Sequence, residues 1–183
     1  SGLDMGAAVN AEAELKMADM FDICHGGGLD LCALGLAEID AMGNVNVSKF
    51  HGRVTGPGGF IDLAQHTKKL ILMGTFTAGG LREHCEGGRL VIDREGKYQK
   101  FKTDIEQVTF SGDYAAAHGQ HVLVITERAV FRLTPQGLML TEIAPGVDLE
   151  RDILGQMEFR PLIADDLQLM DGRIFQPNPM GLS

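Results

Sequence analysis

The apolar positions fall into short runs separated by glycine-rich breaks. Leu29 to Ile39 is the first such run. Its alternation, Leu29, Leu31 and Ala33 against Asp30, Cys32 and Leu34, suits a buried strand better than a helix. Met42-Gly43-Asn44 forms a turn, and Val45-Asn46-Val47 alternates as the returning strand. Gly56-Pro57-Gly58-Gly59 is a loop free to adopt positive φ. It leads into a helix predicted over Phe60 to Lys69, with Phe60, Leu63 and Ala64 at i, i+3 and i+4 and Lys68 and Lys69 at the cation-favouring end. Leu70 to Met73 reads as a fully buried strand, so glycine loop, helix and strand make half of a βαβ unit.

Further on, Arg89 to Ile92 and Tyr98 to Lys102 bracket Glu95-Gly96 as an exposed hairpin. Glu106 to Phe110, Val122 to Ile125 and Ala129 to Leu133 read as strands, and Pro135-Gln136-Gly137 turns the last into Leu138 to Ile143. Pro145-Gly146 stops that run. Asp148 then caps a helix whose apolar face is Leu149, Ile153 and Met157. Near the start, Ala7 to Met17 is rich in Ala and Glu, but Asn10 and Lys16 interrupt its apolar face. The expected fold is a single α/β domain over 1–183: an open mixed or parallel sheet with flanking helices and a β-hairpin embellishment. Residues 172–183, with Pro177 and Pro179, are expected as a surface tail.

Composition narrows the function. The 183 residues are 44% hydrophobic and 22% charged, an ordinary globular balance that excludes a disordered tail, a collagen-like fibre and a disulfide miniprotein. A formal charge of −9 argues against nucleic acid, whose phosphates require clustered Lys and Arg. It leaves an anionic ligand open, because backbone N–H groups at a helix start can hold one. No apolar run approaches the ~20 residues of a membrane span, and no leader is expected ahead of the chain. Three cysteines fit a reducing, cytoplasmic setting. The chain opens Ser1-Gly2-Leu3, so a processed, truncated or engineered start is expected.

Candidate chemistry centres on the glycine loop. A dinucleotide fingerprint needs glycine at position 61, which is Ile61, and a Walker loop needs Lys after Gly59, where Phe60 stands. What remains is a set of N–H groups facing an anion or a developing oxyanion, or else a plain tight turn. Of the histidines, His118 and His121 with Cys24 or Cys85 could form a zinc set, but no Cys-x-x-Cys accompanies them, and no metal is expected. Cys32 lies in an apolar strand, where a thiol is inert packing. Asp165-Asp166 and the pair Glu150 and Asp152 read as solvated faces, and nothing assembles a catalytic triad.

Seven segments, in order, resemble the C-terminal (β-type) part of the acetate/propionate-type acyl-CoA transferases of family I. They are Gly6 to Ala13, Gly26 to Leu31, Gly43 to Phe50, Gly58 to Asp62, Gly74 to Leu81, Ile125 to Phe131 and Thr141 to Gly146. The resemblance implies a two-part enzyme, fused or as α and β subunits, that moves CoA from a thioester donor to a short-chain carboxylate. It implies a ping-pong route through a glutamyl-CoA thioester, with the nucleophilic glutamate upstream of Gly6 and therefore outside this chain; neither Glu12 nor Glu14 matches it. It gives Gly59 the backbone N–H of an oxyanion hole, with Gly58, Gly27 and Gly28 lining the CoA cleft, although Gly26 to Gly28 also reads as a structural turn. Glu127-Arg128 and Glu142 match the family and read as a structural ion pair or turn contact. CoA thioester is then a substrate rather than a bound cofactor. The implied partners are the N-terminal (α-type) half, an upstream segment whose absence would remove the first βα unit, and further copies of the chain in a homo-oligomer, with no nucleic acid and no membrane. The competing readings are a non-catalytic module that binds CoA or a subunit, and part of an acyl-CoA hydrolase.

Overall fold

The computed structural model describes residue 10 and residues 12–182. Its centre is a six-stranded sheet whose strands lie side by side in chain order. They are β1 (Leu31–Gly35), β2 (Lys69–Met73), β3 (His121–Ile125), β4 (Ala129–Thr134), β5 (Gly137–Ile143) and β6 (Leu162–Leu169). β1, β2 and β3 pair in parallel, β3–β4–β5 is an antiparallel meander, and β6 returns parallel to β5. The mixed α/β sheet matches expectation. Among the described residues three short α-helices accompany it: α1 (Met17–Ile23), α2 (Phe60–Ala64) and α3 (Gly112–Ala117).

One sheet face carries the main core. Leu70, Leu72, Val122 and Val124 are buried on it with Phe131 and Leu140. Phe76 and Phe101 stack at 4.5 Å between ring centres, and Phe101 lies 5.0 Å from Phe131. A second cluster forms around Leu90, Val130, Ala144, Met170 and Phe175. The segment expected as a surface tail is therefore pinned at Phe175, which ends a 3-10 turn over Gly172–Phe175.

Several elements differ from expectation, each for a physical reason. β1 is the outermost described strand, so only Cys32 and Leu34 pack on the core while Leu31 is 55% exposed. β2 is likewise buried on one face, with Met73 47% exposed on the other. The helix expected to reach Lys69 ends at Ala64, because side chains take over its terminal carbonyls. The Thr67 hydroxyl donates to Leu63 O (2.5 Å), and Gln120 Nε2 donates to Ala64 O (2.7 Å) and Thr67 O (2.6 Å). Lys68 pairs instead with Asp30, and Lys69 opens β2.

The hairpin lies elsewhere than expected. Arg82–Glu86 pairs with Arg89–Arg94 across Gly87-Gly88, both at positive φ as a tight hairpin turn demands, while Tyr98–Gln99 pairs with Thr77–Ala78. Glu106 to Phe110 forms no strand and makes only a bridge from Phe110 to Val45. Asp148 does cap, its carboxylate accepting the Arg151 N–H (2.7 Å), but the turns it starts are a π-helix over Leu149–Ile153 and a 3-10 turn over Leu154–Gln156. Residues 7–9 and 11 of the ambiguous Ala7 to Met17 stretch lie outside the described residues; residues 13–16 form no helix, and α1 begins at Met17.

Phe101 has no solvent exposure and makes ring contacts with Phe76, Phe131 and Phe159, so Phe101→Ala is expected to cost about 3–5 kcal/mol. Urea unfolding checks this, and a loss below about 1 kcal/mol would show that the ring cluster does not hold the core.

Candidate functional site

The glycine loop is set by backbone geometry. Gly56 (φ 83°) and Gly58 (φ 55°) occupy the left-handed region, and the Ser48 carbonyl accepts the N–H groups of Thr55 and Gly56. Gly59 caps α2 with φ −85°, a conformation open to any residue, so a different constraint makes it glycine. A Cβ there would lie 2.7 Å from Cε1 and 2.8 Å from Cζ of Phe21. The ring from α1 thus presses against the Gly59 backbone. Among the described residues no acceptor takes the Gly59 N–H.

The chain from α1 onward runs alongside α2. Phe21 meets Gly59, His25 Nδ1 lies 3.6 Å from an Asp62 carboxylate oxygen, and Gly27 (φ 83°) sits against the His66 carbonyl. Gly58 and Gly59 therefore stand at one end of α2, and Gly27 and Gly28 at the other. A Cβ on Gly28 would strike the Ile23 carbonyl at 2.7 Å, so that glycine serves the tight Cys24–Gly28 turn.

At the Gly27 end, His66 is edge-on to His25 (4.5 Å), and Tyr114 stacks on His118 (3.9 Å), whose Nδ1 bonds the Tyr114 carbonyl oxygen (2.8 Å). His66, Tyr114 and His118 border a cavity of about 280 Å³. Among the described residues no three His, Cys, Asp or Glu side chains converge as a metal set. Cys32 is half-buried, and burial pushes its thiol pKa up, which suits inert packing.

Arg128 lies beyond the carboxyl end of β3 with no solvent exposure. Its Nε donates to Glu127 (2.6 Å), and its Nη1 donates to Glu95 (2.5 Å) and to the Asp152 carbonyl (3.1 Å). Glu127 also accepts the Phe76 N–H (2.8 Å), and Glu95 accepts the Thr77 hydroxyl (2.9 Å). The structural ion pair expected of Glu127-Arg128 is thus part of a larger network. Arg128 Nη2 and Glu83 Oε2 are buried without partners. Burial, with the nearby charges of Glu127 and Glu95, pushes the Glu83 carboxyl upward in pKa.

Asp152 is a correction: expected on a solvated face, it is 7% exposed. Two hydrogen bonds from Arg151 and one from the Asp148 N–H hold its carboxyl below the ordinary carboxylate range. Glu150, Asp165 and Asp166 are exposed as expected.

A groove of about 930 Å³ opens at the ends of β1 and β2, bounded by Leu36, Phe50, Lys97, Tyr98 and Lys100. Nothing in the spacing of these residues signals it, since they come from three separated segments. Phe21 is equally silent in the sequence. The Glu127-Arg128 dipeptide was the only visible sign of the buried network.

The fold is that of the CoA-transferases. The crystal structure of acyl-CoA transferase YdiF from Escherichia coli O157:H7 matches with a TM-score of 0.93 and 50% identity, covering 97% of this chain and 35% of that one. Its thioester complex with CoA matches at 0.92. The chain is a homologue of named CoA-transferases: 51% identical over 180 residues to acetate CoA-transferase YdiF of Escherichia coli K12, and 46% identical over 188 to caffeate CoA-transferase of Acetobacterium woodii. Each alignment covers 98% of this chain, which spans only 34% and 35% of those relatives. The beta subunit of Escherichia coli acetate CoA-transferase is 31% identical over 87% of the chain and 64% of its own length. No protein-family model matches.

Removing the Arg128 charge leaves the half-buried carboxylates of Glu127 and Glu95 facing each other without their cation, so Arg128→Met is expected to cost about 3 kcal/mol. Adding Glu95→Gln should recover part of that loss in denaturant unfolding; no recovery would detach Glu95 from the network. Asp152 has a lower pKa folded than unfolded. The stability it contributes is present above its ordinary value of 3.8 and is lost as pH falls through the depressed one. Asp152→Asn should therefore flatten the acid limb of the stability–pH curve, and an unchanged limb would refute this.

Proposed function

We propose that the chain is the C-terminal, β-type portion of a short-chain acyl-CoA:carboxylate CoA-transferase. The observation that carries the reading is the Gly59 N–H at the start of α2, left without an acceptor among the described residues, in a chain half identical to acetate CoA-transferase YdiF. Attack of a carboxylate on a thioester carbonyl pushes negative charge onto the carbonyl oxygen. A fixed backbone N–H aimed at that oxygen lowers the barrier. Gly59 fills this role beside Gly58, whose positive φ turns the loop into the start of α2. The nucleophilic glutamate comes from outside this chain and alternates between free carboxylate and glutamyl-CoA thioester. Gly27 and Gly28 shape the far end of α2 within the CoA cleft. CoA thioester is the substrate, and the protein carries no resident cofactor.

The partners are the α-type half, the upstream segment that brings the glutamate, and further copies of the complete protein. Leu31 and Met73 support this, because they expose apolar surface on a sheet whose parallel strands are ordinarily covered on both faces. A cytoplasmic setting suits the free thiols of Cys24, Cys32 and Cys85.

In the complete enzyme, CoA exchange from an acyl-CoA to acetate is expected, and this chain alone is expected to be inactive. Exchange by the isolated chain would place the nucleophile here, and release of free CoA without an acceptor acid would favour a hydrolase. Gly59→Val should lower turnover about 100-fold. The double variant Gly59→Val/Phe21→Ala makes room for the new side chain and should regain thermal stability while staying slow. Restored turnover in the double variant would reduce Gly59 to a packing residue.

A further inference from the structure

The smaller cavity, of about 280 Å³, is built from three segments that meet beside α3. His66 and Lys68 come from the link between α2 and β2, Tyr114 and His118 from α3 and its end, and Gln120 and His121 from the entry to β3. Lys69 and His121 pair in register at the amino ends of β2 and β3, so the cavity lies at the opposite ends of the strands from the groove. In a chain of net charge −9, no Asp or Glu lines it among the described residues. Lys68 is held by Asp30 (2.7 Å) in a pair whose side chains are both well exposed, and a pair of that kind holds its ammonium loosely. Among the described residues the imidazole hydrogen bonds and ion pairs involve His25, His84 and His118, which leaves the rings of His66 and His121 without a polar partner.

The same wall also carries acceptors that lack a donor. Gln120 Nε2 donates to the carbonyls of Ala64 (2.7 Å) and Thr67 (2.6 Å), and these two acceptors fix which way the amide points. Its Oε1 is buried with no hydrogen-bond partner. An unpaired buried acceptor of this kind is costly and favours any group that brings it an O–H. His118 adds a second acceptor. Its Nδ1 faces the Tyr114 carbonyl oxygen (2.8 Å), which can only accept, so in the neutral ring the proton sits on Nδ1 and Nε2 is left to accept.

The cavity therefore suits a small ligand that is anionic and still carries a hydroxyl. Sulfate and an ionised carboxylate only accept hydrogen bonds. A phosphate monoester loses its last proton with a pKa of about 6, so at neutral pH it is mostly in the same position. Inorganic hydrogen phosphate keeps one O–H beside its charged oxygens. We infer that this cavity binds inorganic phosphate, with its charged oxygens toward Lys68, His66 and His121 and its hydroxyl on Gln120 Oε1. The inference goes beyond the transferase reading and does not rest on it, since it involves neither a thioester nor the nucleophile.

The test is isothermal titration of the complete protein with inorganic phosphate, methyl phosphate, sulfate and acetate, at about pH 7.5 so that the ester is fully ionised. Phosphate is expected to bind at least about tenfold more tightly than each of the other three, because it alone brings a donor to the buried acceptor. The double variant Lys68→Gln/His121→Gln alters two exposed side chains and should fold normally, while weakening phosphate by about tenfold. Free CoA is expected to leave phosphate binding unchanged. Phosphate no tighter than sulfate or methyl phosphate would overturn the inference, because Gln120 Oε1 would then be served by water. Phosphate bound equally well by the double variant, or displaced by CoA, would place it at another site and overturn the inference as well.

Discussion

The loops beyond the carboxyl ends of β2 and β3 hang on one desolvated guanidinium. Arg128 draws in Glu127 from its own turn, Glu95 from the segment after Arg89–Arg94, and the Asp152 carbonyl from the turn that Asp148 caps. Through these it reaches Phe76 and Thr77. A buried ion pair of this kind adds little net stability over a well-packed apolar substitute. Its effect is on geometry, because each carboxylate has a single position in which it is not stranded. The wall of the groove that carries Lys97 to Lys100 follows directly from Glu95 and Gly96, and the Gly96 N–H is tied to the Thr77 hydroxyl (3.0 Å).

Glycine serves two separate purposes at the start of α2. Gly58 is glycine because its backbone turns into the left-handed region, and Gly59 because a phenyl ring occupies the space a side chain would need. Together they leave a helix start bare, with an aromatic side chain behind it. Gly27 and Gly28 close a different turn at the other end of α2, so the glycine clusters bracket that helix rather than converge on one point.

The meander was legible in the sequence because it is local. Pro135-Gln136-Gly137 and Pro145-Gly146 punctuate β4 and β5, and Asp148 announces its own cap. The glycine loop before α2 was legible for the same reason. What escaped depends on residues far apart in the chain. The α2 boundary is set by Gln120, whose amide takes carbonyls at Ala64 and Thr67. The hairpin was placed at Glu95-Gly96, but Glu95 is drawn inward by Arg128 and the turn falls at Gly87-Gly88. Asp152 reads as a surface charge until Arg151 and the Asp148 N–H fold onto it. The groove had no local signature, since strand ends, a ribbon and a loop meet there only after folding.

The side-by-side order of the six strands divides the sheet by the separation of its pairings along the chain. β3, β4 and β5 are joined through residues 126–128 and 135–136, whereas β1 finds β2 across residues 36–68, and β2 finds β3 across residues 74–120. Bringing distant segments together costs loop-closure entropy before any strand pairing repays it. The antiparallel half is therefore the kinetically accessible nucleus. The parallel half, which carries the proposed ligand surfaces, assembles against it across long stretches of still-unformed backbone.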